Sequence, residues 1–261
     1  MKDQEKNKTI KTFAIASFLN DMGSDIISPI WPLFVTQMLG ANMAMLGLLD
    51  GMGEALVSIS QAVSGYLSDR LKKRKIFIWI GYFMGGLSRV GYGLSTTYLH
   101  LIPFRILDRA GKIRSAPRDA IVADYSNRND RGRNFGLLRT ADHLGAIAGI
   151  LISISLFKVL GYRNLFLLAA IPSIIGATLI FIKIKEPQAS ENKIFKGIKL
   201  SDFNENFQLF LILSAFFALG SFSYSFLLFT LKNSVLLLPL FLCSTLFSPY
   251  LLHSFPYHLE N

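Results

Sequence analysis

Cysteine, histidine and the motifs of common enzyme families are scarce or missing in this chain of 261 residues. A single cysteine, Cys243, excludes an internal disulfide and any CxxC metal or redox site. The four histidines are scattered, and none has the spacing of a metal site. The sequence also lacks HExxH, GxSxG and a Gly-rich phosphate-binding loop. We therefore expect a chain that is not an enzyme, with no catalytic residue, no metal and no cofactor.

Acidic residues are also few, because 17 Asp and Glu stand against 27 Lys and Arg, for a formal net charge of +10. Such an excess fits either nucleic-acid binding or the basic cytoplasmic loops of a membrane protein. The basic residues lie between apolar blocks of the sequence. This arrangement favours the second explanation, and we expect no nucleic-acid partner.

What the sequence has in abundance is apolar blocks of about twenty residues, the length of helix that crosses a hydrocarbon core of about 30 Å. Lipid offers the backbone no hydrogen bonds, so runs of this length are predicted to be helices. The fold class is therefore an all-α membrane protein in the lipid bilayer. The predicted spans are 13–38, 44–67, 76–97, 99–123, 134–157, 164–182 and 207–229, and a further apolar stretch follows at 235–252.

The spans group into a six-helix unit, 1–182, a cytoplasmic linker, 183–206, a seventh transmembrane helix, 207–229, and an apolar tail, 230–261. This is the plan of one half of a twelve-helix transporter. Glycine is absent after Gly220, although close helix packing in lipid depends on small residues. We therefore expect the tail not to be a native helix and the chain to be an incomplete copy, truncated or frameshifted. The alternative is a natural half-size protein that forms a homodimer.

Lysine and arginine are distributed unequally between alternate connections. Seventeen of them lie at the N-terminus and after the second, fourth and sixth spans, against two in the remaining connections. Cytoplasmic loops of membrane proteins carry this excess. We expect a multi-pass protein of the cell (plasma) membrane with a cytoplasmic N-terminus.

The connection after the second span begins at Gly65, continues through Asp69 and Arg70, and ends in a basic cluster that includes Lys72 and Arg74. Glycine permits close packing at the end of a helix, and the aspartate can accept backbone N–H bonds or pair with an arginine. The segment resembles the loop signature of the major facilitator superfamily, which usually has glycine in place of Lys72. The resemblance implies a bacterial transporter, of which this chain covers the N-terminal half plus the seventh helix. An ordinary basic loop is the alternative explanation.

The fourth span is the most highly charged. Its charged residues are Arg105, Asp108, Arg109, Lys112, Arg114, Arg118 and Asp119. A charge at mid-membrane costs about 3 kcal/mol, so such residues face a cavity or one another. At about 100° per residue, Arg114 and Arg118 fall on one side of the helix and most of the others on the opposite side. The alternative for Arg114, Arg118 and Asp119 is a position in the cytoplasmic interface.

The pattern of Arg105, Gly111 and Pro117 resembles the fourth-helix motif of the superfamily, whose arginine lies in the transport cavity. The segment is also similar to a bacterial subgroup with one more glycine after Lys112. One missing residue rotates everything beyond it by about 100°. The predicted helix face therefore applies only as far as Lys112.

Two acids of the first span, Asp21 and Asp25, are one turn apart on one helix face. The resemblance implies that the first and fourth helices both line the central cavity. Either acid would then neutralise Arg105 or Arg109, or carry a proton. The alternative is a structural ion pair that holds the bundle together. We expect Arg105 to pair with one of these two acids.

The second and fifth spans carry further candidates. Glu54 is deep enough in its span to need a partner, whereas Asp50 is expected near the outer surface. Gly145 and Gly149 form a small-residue face for helix packing. They resemble the antiporter motif of the superfamily, but the proline that usually follows is absent. His143 is either a buried hydrogen-bonded residue or a proton relay.

The function implied by the residues and the resemblance is transport of a small molecule or ion by alternating access, through an ion-coupled secondary transporter. The predicted cavity residues are Asp21, Asp25, Glu54, Arg105, Arg109 and Lys112. The alternative is a truncated membrane protein that does not transport, or a half-size scaffold that dimerises.

Overall fold

The structure is a computed structural model that describes residues 2–186, residues 203–219 and Ser225. Within these residues all regular structure is helical, in agreement with the predicted fold class. The helices are α1 Lys2–Ile27, α2 Trp31–Leu33, α3 Met43–Leu71, α4 Lys75–Leu94, α5 Tyr98–Ala110, α6 Ser115–Tyr125, α7 Arg131–Lys183 and α8 Glu205–Leu219.

Prolines interrupt the first predicted span. The helix α1 ends two residues before Pro29, and the chain resumes as α2 and a wider π-helical turn, Phe34–Met38. Proline has no N–H to donate and disfavours the helical conformation of the residue before it, which explains the break. The chain then reverses at Gly40, which has φ +70°. The side chain of Asn42 caps α3 by accepting a hydrogen bond of 2.8 Å from the backbone N–H of Met45.

The fourth predicted span consists of three consecutive helical segments. The helix α5 leads into a tighter 3-10 segment, Gly111–Arg114, and α6 continues from there. The connection packs closely on α4, because a side chain at Gly81 would collide with the backbone carbonyl of Gly111.

The fifth and sixth predicted spans lie on the two limbs of α7, which breaks at Gly161. This glycine has φ +66° and ψ −175°, a conformation that other residues rarely adopt. The short helix α8 covers the first part of the predicted seventh helix, 207–229. Most of the predicted linker and the whole of the tail, 230–261, lie outside the described residues.

Four segments meet at one end of the bundle. Arg74 after α3 pairs with Asp124 of α6, and the backbone N–H groups of Arg74 and Lys75 donate to Glu186 after α7. Lys185 pairs with Glu5 near the start of α1 at 3.3 Å. We call this the basic end, because it gathers the connections richest in lysine and arginine.

Two apolar clusters form the core. The Trp31 cluster joins Trp31 and Phe34 to Tyr92 of α4 and Phe166 of α7. Its rings contact one another, with centroids of Phe34 and Phe166 4.6 Å apart. The Tyr82 cluster lies toward the basic end and joins the start of α1 to α4, α6 and the two ends of α7.

Large apolar side chains cover much of the outside. Val159, Phe217 and Phe216 are 80%, 71% and 68% exposed, and many leucines and isoleucines are similarly open. Water-soluble proteins keep such patches small, whereas lipid accepts them. Among the described helices, Met43–Leu71 and Arg131–Lys183 are long and apolar enough to cross a membrane. The other helices are shorter, interrupted or more charged.

Candidate functional site

A layer of polar and charged residues separates the two apolar clusters. On α1 it lies between Phe13 and Ile26, and on α4 between Tyr82 and Tyr92. We call it the polar layer; its members are Asn20, Asp21, Ser24, Asp25, Asp50, Glu54, Ser88, Arg89, Arg105, Asp108, Arg109 and Lys112. Because four different helices contribute at the same depth, these side chains converge inside the bundle.

Asp50 and Arg105 form the most deeply buried ion pair of the polar layer. The guanidinium of Arg105 donates to Asp50 Oδ1 at 2.7 Å, and the two residues are 6% and 8% exposed. Trp31 Nε1 donates to the same oxygen at 3.1 Å, and Ser225 donates to the other oxygen of the carboxylate. The guanidinium carbon also lies 4.4 Å from the centre of the Trp31 ring, a cation–π contact. Both charged groups of this pair are therefore bound by protein partners.

The expectation that Arg105 pairs with Asp21 or Asp25 is wrong, as is the position of Asp50 near the outer surface. Asp50 is the eighth residue of α3, and Arg105 is the eighth residue of α5. The two helices start at the same end of the bundle and lie side by side, so the side chains meet at equal depth. Asp50 and Arg105 lie at the same distance from the starts of their helices. This equal spacing could have predicted the pair from the sequence.

Arg109 is held less tightly, one turn further along α5. Its Nη1 lies 4.0 Å from Glu54 Oε1 and its Nε lies 3.6 Å from Asp108 Oδ2. The side chain of Glu54 is 75% exposed, and Arg109 is the ionic partner nearest to it. A Cβ at Gly53 would come within 3.3 Å of Arg105 and Arg109, so the backbone of α3 passes directly over both arginines.

The acids of α1 lie across from α5. Asp21 accepts a hydrogen bond of 3.0 Å from Asn20 Nδ2. Asp25 is half-buried and within electrostatic range of Asp21, Lys112 and Arg109. The fold thus brings the predicted cavity residues into one layer, although Arg105 is committed to Asp50.

Arg89 is a member of the polar layer that the sequence analysis missed. It is 1% exposed and donates to Ser24 Oγ at 2.7 Å, to the carbonyl of Asn20 at 3.2 Å and to the carbonyl of Ala169 at 3.4 Å. It therefore ties α4 to α1 and α7. The available signal was an arginine in the middle of an otherwise apolar span, which is costly without partners.

A second charged network lies between the polar layer and the basic end. Arg118 donates to Ser17 at 2.7 Å and to Asp119 at 3.0 Å, and lies 3.7 Å from Asp142. Arg139 pairs with both of these aspartates at 3.3 Å. The network joins α1, α6 and α7.

The end of the fourth span packs inside the bundle. Arg114 and Arg118 are 5% and 6% exposed, and Asp119 is half-buried; whether this part lies at the depth of the cytoplasmic interface stays a prediction. Arg114 lies over the ring of Tyr82, 5.0 Å from its centre. The two arginines face α4 and α1, and Arg105 faces α3, as the predicted separation into two sides implies.

The loop motif forms an ion cluster at the basic end. Arg74 pairs with Asp69 at 2.9 Å and with Asp124, so Asp69 acts as an ion-pair partner. Burial alone would lower the pKa of Arg74, but the hydrogen bonds to Asp124 and Asp69 outweigh it and raise the pKa above its ordinary value. Gly65 packs against Ala116 of α6, and Arg70 lies beside Tyr66. The motif therefore joins α3, α4 and α6.

The predicted packing glycines lie where α7 crosses α1. A side chain at Gly145 would collide with the carbonyl of Phe18, and one at Gly149 with the carbonyl of Met22. His143, on the same helix, is exposed, in contrast to the buried alternative.

Comparisons with known proteins agree with this architecture. The chain is 35% identical over 227 residues to an uncharacterized MFS-type transporter of Methanocaldococcus jannaschii. The aligned region covers 86% of this chain and 56% of that protein. A second such transporter of the same organism is 26% identical over 71% of this chain and 48% of its own length. The crystal structure of a peptide transporter in complex with sulfate has the same fold, with a TM-score of 0.64 at 15% identity, over 91% of this chain and 49% of that one. This chain spans about half the length of the curated relatives it matches.

The family profile of the Major Facilitator Superfamily matches residues 13–256, a range that includes most of the tail set apart in the sequence analysis. The family consists of membrane transporters and not of enzymes. The chain is therefore an integral membrane protein that belongs to the Major Facilitator Superfamily.

Proposed function

We propose that this chain takes part in the transport of a small solute across the plasma membrane by alternating access, with the solute entering the polar layer. The observation that carries the proposal is the convergence of charged side chains from α1, α3 and α5 between two apolar clusters, with half-buried charges on α1 and α5. Buried charge in a membrane protein is costly and marks solute or ion pathways. In transporters built from repeats, the binding site lies at this depth.

Burial divides the charged residues into two groups. Arg89, Arg105 and Asp50 are almost fully buried and satisfied by protein partners, which suits a structural role. A second set is partly open, which suits contact with a mobile solute or a coupling ion: Asp21, Asp25, Glu54, Arg109 and Lys112. We infer that ion coupling involves Asp21 or Asp25, because a carboxylate accepts a proton or a cation.

Alternating access requires two bundles that rock around the site. The described residues supply one bundle, and the chain covers about half of its relatives. We infer that the second wall of the cavity comes from another bundle, whether a second copy of this chain or a further part of the protein. Ser225, which donates to Asp50, supports a contact between the first bundle and the region beyond α8.

The test is electrical recording from proteoliposomes that hold the purified chain. A panel of small carboxylates, phosphates, sugars, amines and amino acids would be applied, with and without a proton gradient. We expect a current with one chemical class, and we expect Asp25→Asn to abolish the current or its dependence on the proton gradient. Asp130→Asn, at an exposed position before α7, is the matched control.

The absence of both a solute-dependent current and uptake of labelled solute by folded protein would contradict transport by this chain alone. A stable homodimer without transport would instead support the half-size scaffold. Cross-linking in the membrane distinguishes these outcomes.

A further inference from the structure

Arg109 differs from the other buried arginines of the bundle in how its guanidinium is held. Arg89, Arg105 and Arg118 each donate a hydrogen bond of 2.7 Å to a side-chain oxygen. The carboxylates nearest to Arg109 lie at 3.6 and 4.0 Å, beyond the usual hydrogen-bond range of about 2.7–3.2 Å. Its buried Nε has no hydrogen-bond partner among the described residues. A buried N–H group without an acceptor is stabilised by any ligand oxygen that accepts its hydrogen bond.

A second buried group without a partner lies close by. Tyr92 is 1% exposed, and its hydroxyl makes no hydrogen bond within the described part of the chain. The hydroxyl is within electrostatic range of Arg105, Asp108 and Arg109. Buried tyrosine hydroxyls usually find a partner, so this hydroxyl, which also lies near Arg105, and the Nε of Arg109 are two donors available to an anionic occupant.

Arg109 packs against the backbone of α3 on one side and stays partly exposed on another. Gly53 presents only backbone toward Arg109, where a side chain would come within 3.3 Å of its Cγ. The side chain of Arg109 is 23% exposed, so it is reachable from the cavity although its Nε is covered. Lys112, one turn further on, adds a second positive charge within electrostatic range.

We propose that Arg109, assisted by Tyr92 and Lys112, binds the anionic group of the transported solute, a carboxylate or a phosphate. The inference rests on the proposed transport function and names the substrate class of the same site. A planar guanidinium matches two oxygens of such a group at once, which a point charge does not. A neutral hydroxyl donor beside it adds a further bond to the same group.

Neighbouring carboxylates are compatible with an incoming anion. Glu54 is 75% exposed, so water screens its charge and a solute displaces it from Arg109. Asp108 stays beside Arg109 and also accepts a bond of 3.4 Å from Ser88. Asp25 belongs to α1 and interacts with Arg109 only at longer range.

The test is equilibrium binding to the purified full chain in lipid nanodiscs, by titration calorimetry. The probes are acetate, succinate and inorganic phosphate, with glycerol and choline as neutral and cationic controls. We expect at least one anionic probe to bind and the controls not to bind. Binding of the carboxylates alone or of phosphate alone identifies which of the two groups the solute carries.

Variants then locate the site. Arg109→Gln is expected to weaken anion binding about tenfold or more, and Arg109→Lys to weaken it less. Tyr92→Phe removes a hydroxyl without a partner, so we expect an unchanged or higher melting temperature together with weaker binding. Arg128→Gln, at an exposed position in the connection before α7, matches the loss of charge and should bind as the native chain does.

Three results would overturn the proposal: no anionic probe binds the native chain, folded Arg109→Gln binds as tightly as the native chain, or Arg128→Gln weakens binding equally. Tyr92→Phe and Arg109→Lys keep the test decisive if Arg109→Gln does not fold. Binding without any uptake of labelled solute and without current would refute transport and leave this site standing. A current carried only by cations or neutral solutes would refute this site and leave transport standing.

Discussion

At the scale of single residues, the partners of each buried arginine decide what its removal would do. Arg105 shares Asp50 with Trp31 and Ser225, so the carboxylate loses a directly bonded cation when Arg105 is replaced. Breaking one side of a buried ion pair leaves an uncompensated charge, whereas neutralising both sides removes the need for compensation. This difference makes the pairing measurable.

Arg105→Gln and Asp50→Asn are each expected to lower the free energy of unfolding by about 3 kcal/mol. The double variant should lose much less than the sum, because the two groups interact. The matched combination Arg105→Gln with Asp21→Asn should be additive. Chemical unfolding in detergent measures the native chain, the three single variants and the two double variants. Additivity in the first pair would show that the observed ion pair contributes no coupling energy.

Lys72 is the residue where the loop motif departs from the family resemblance. It ends α3 with φ +53° and ψ +31°, the left-handed conformation that glycine adopts without strain. Lys72→Gly is therefore expected to raise stability by about 1 kcal/mol. Lys72→Ala removes the same charge without relieving the backbone, so it should show no such gain. Unfolding experiments compare the two variants. Equal stability of the glycine and alanine variants would show that the left-handed backbone at Lys72 causes no strain.

At the scale of elements, the packing of α1 on the first limb of α7 depends on backbone contact. The carbonyls of Phe18 and Met22 occupy the space where side chains at Gly145 and Gly149 would lie. Small residues allow this approach, which brings the acids of α1 toward the polar layer. The break at Gly161 then returns the second limb of α7 to the opposite side of the same bundle.

Gly149→Ala is expected to destabilise the protein by about 2 kcal/mol, because a methyl group would force α1 away from α7. Gly136→Ala is the control in the same helix, since nothing lies within 4 Å of the added methyl group. That change should instead stabilise by up to about 1 kcal/mol through helix propensity. Melting temperatures in detergent report both effects. Equal shifts in the two variants would show that the glycine at the crossing has no packing role.

The 3-10 segment is a second element-scale feature with consequences for the site. A 3-10 helix has about 3.0 residues per turn and an α-helix about 3.6, so the four residues of Gly111–Arg114 turn about 80° further than α-helix would. This is nearly the rotation lost with one deleted residue. The tighter turn therefore compensates for the missing glycine inferred after Lys112, and Arg118 reaches Ser17 and Asp142.

At the scale of the whole molecule, the basic end gathers the connections that the charge distribution assigns to the cytoplasm. Glu5, Arg74, Asp124 and Glu186 come from four separate segments and contact one another or their neighbours there. The helices therefore alternate in direction as the sequence predicts. Which end faces the cytoplasm remains a prediction from the basic loops.

The orientation is tested by cysteine labelling in a chain with Cys243→Ser. We expect Thr97→Cys, exposed at the end opposite the basic end, to react with an impermeant maleimide applied to intact cells. Asn127→Cys, exposed at the basic end, should react only after the membrane is permeabilised. The reverse labelling pattern would contradict a cytoplasmic N-terminus.

By itself, the sequence determined the helical membrane fold, the location of most spans and which spans carry the charged residues. These features depend on each segment by itself, because the length and apolar content of a segment decide whether it spans lipid. It also determined the candidates for the cavity, since a charge such as Arg109 in an apolar span needs a partner.

The tertiary structure alone decided which charged side chains pair with one another. Arg105 pairs with Asp50 rather than with Asp21 or Asp25, and Arg89 is satisfied by hydroxyl and carbonyl oxygens of two other helices. Helical periodicity gives the direction of a side chain relative to its own helix but not the rotation or register of one helix against another. Those are set by close contacts such as the crossing at Gly149, which depend on the shapes of both helices at once.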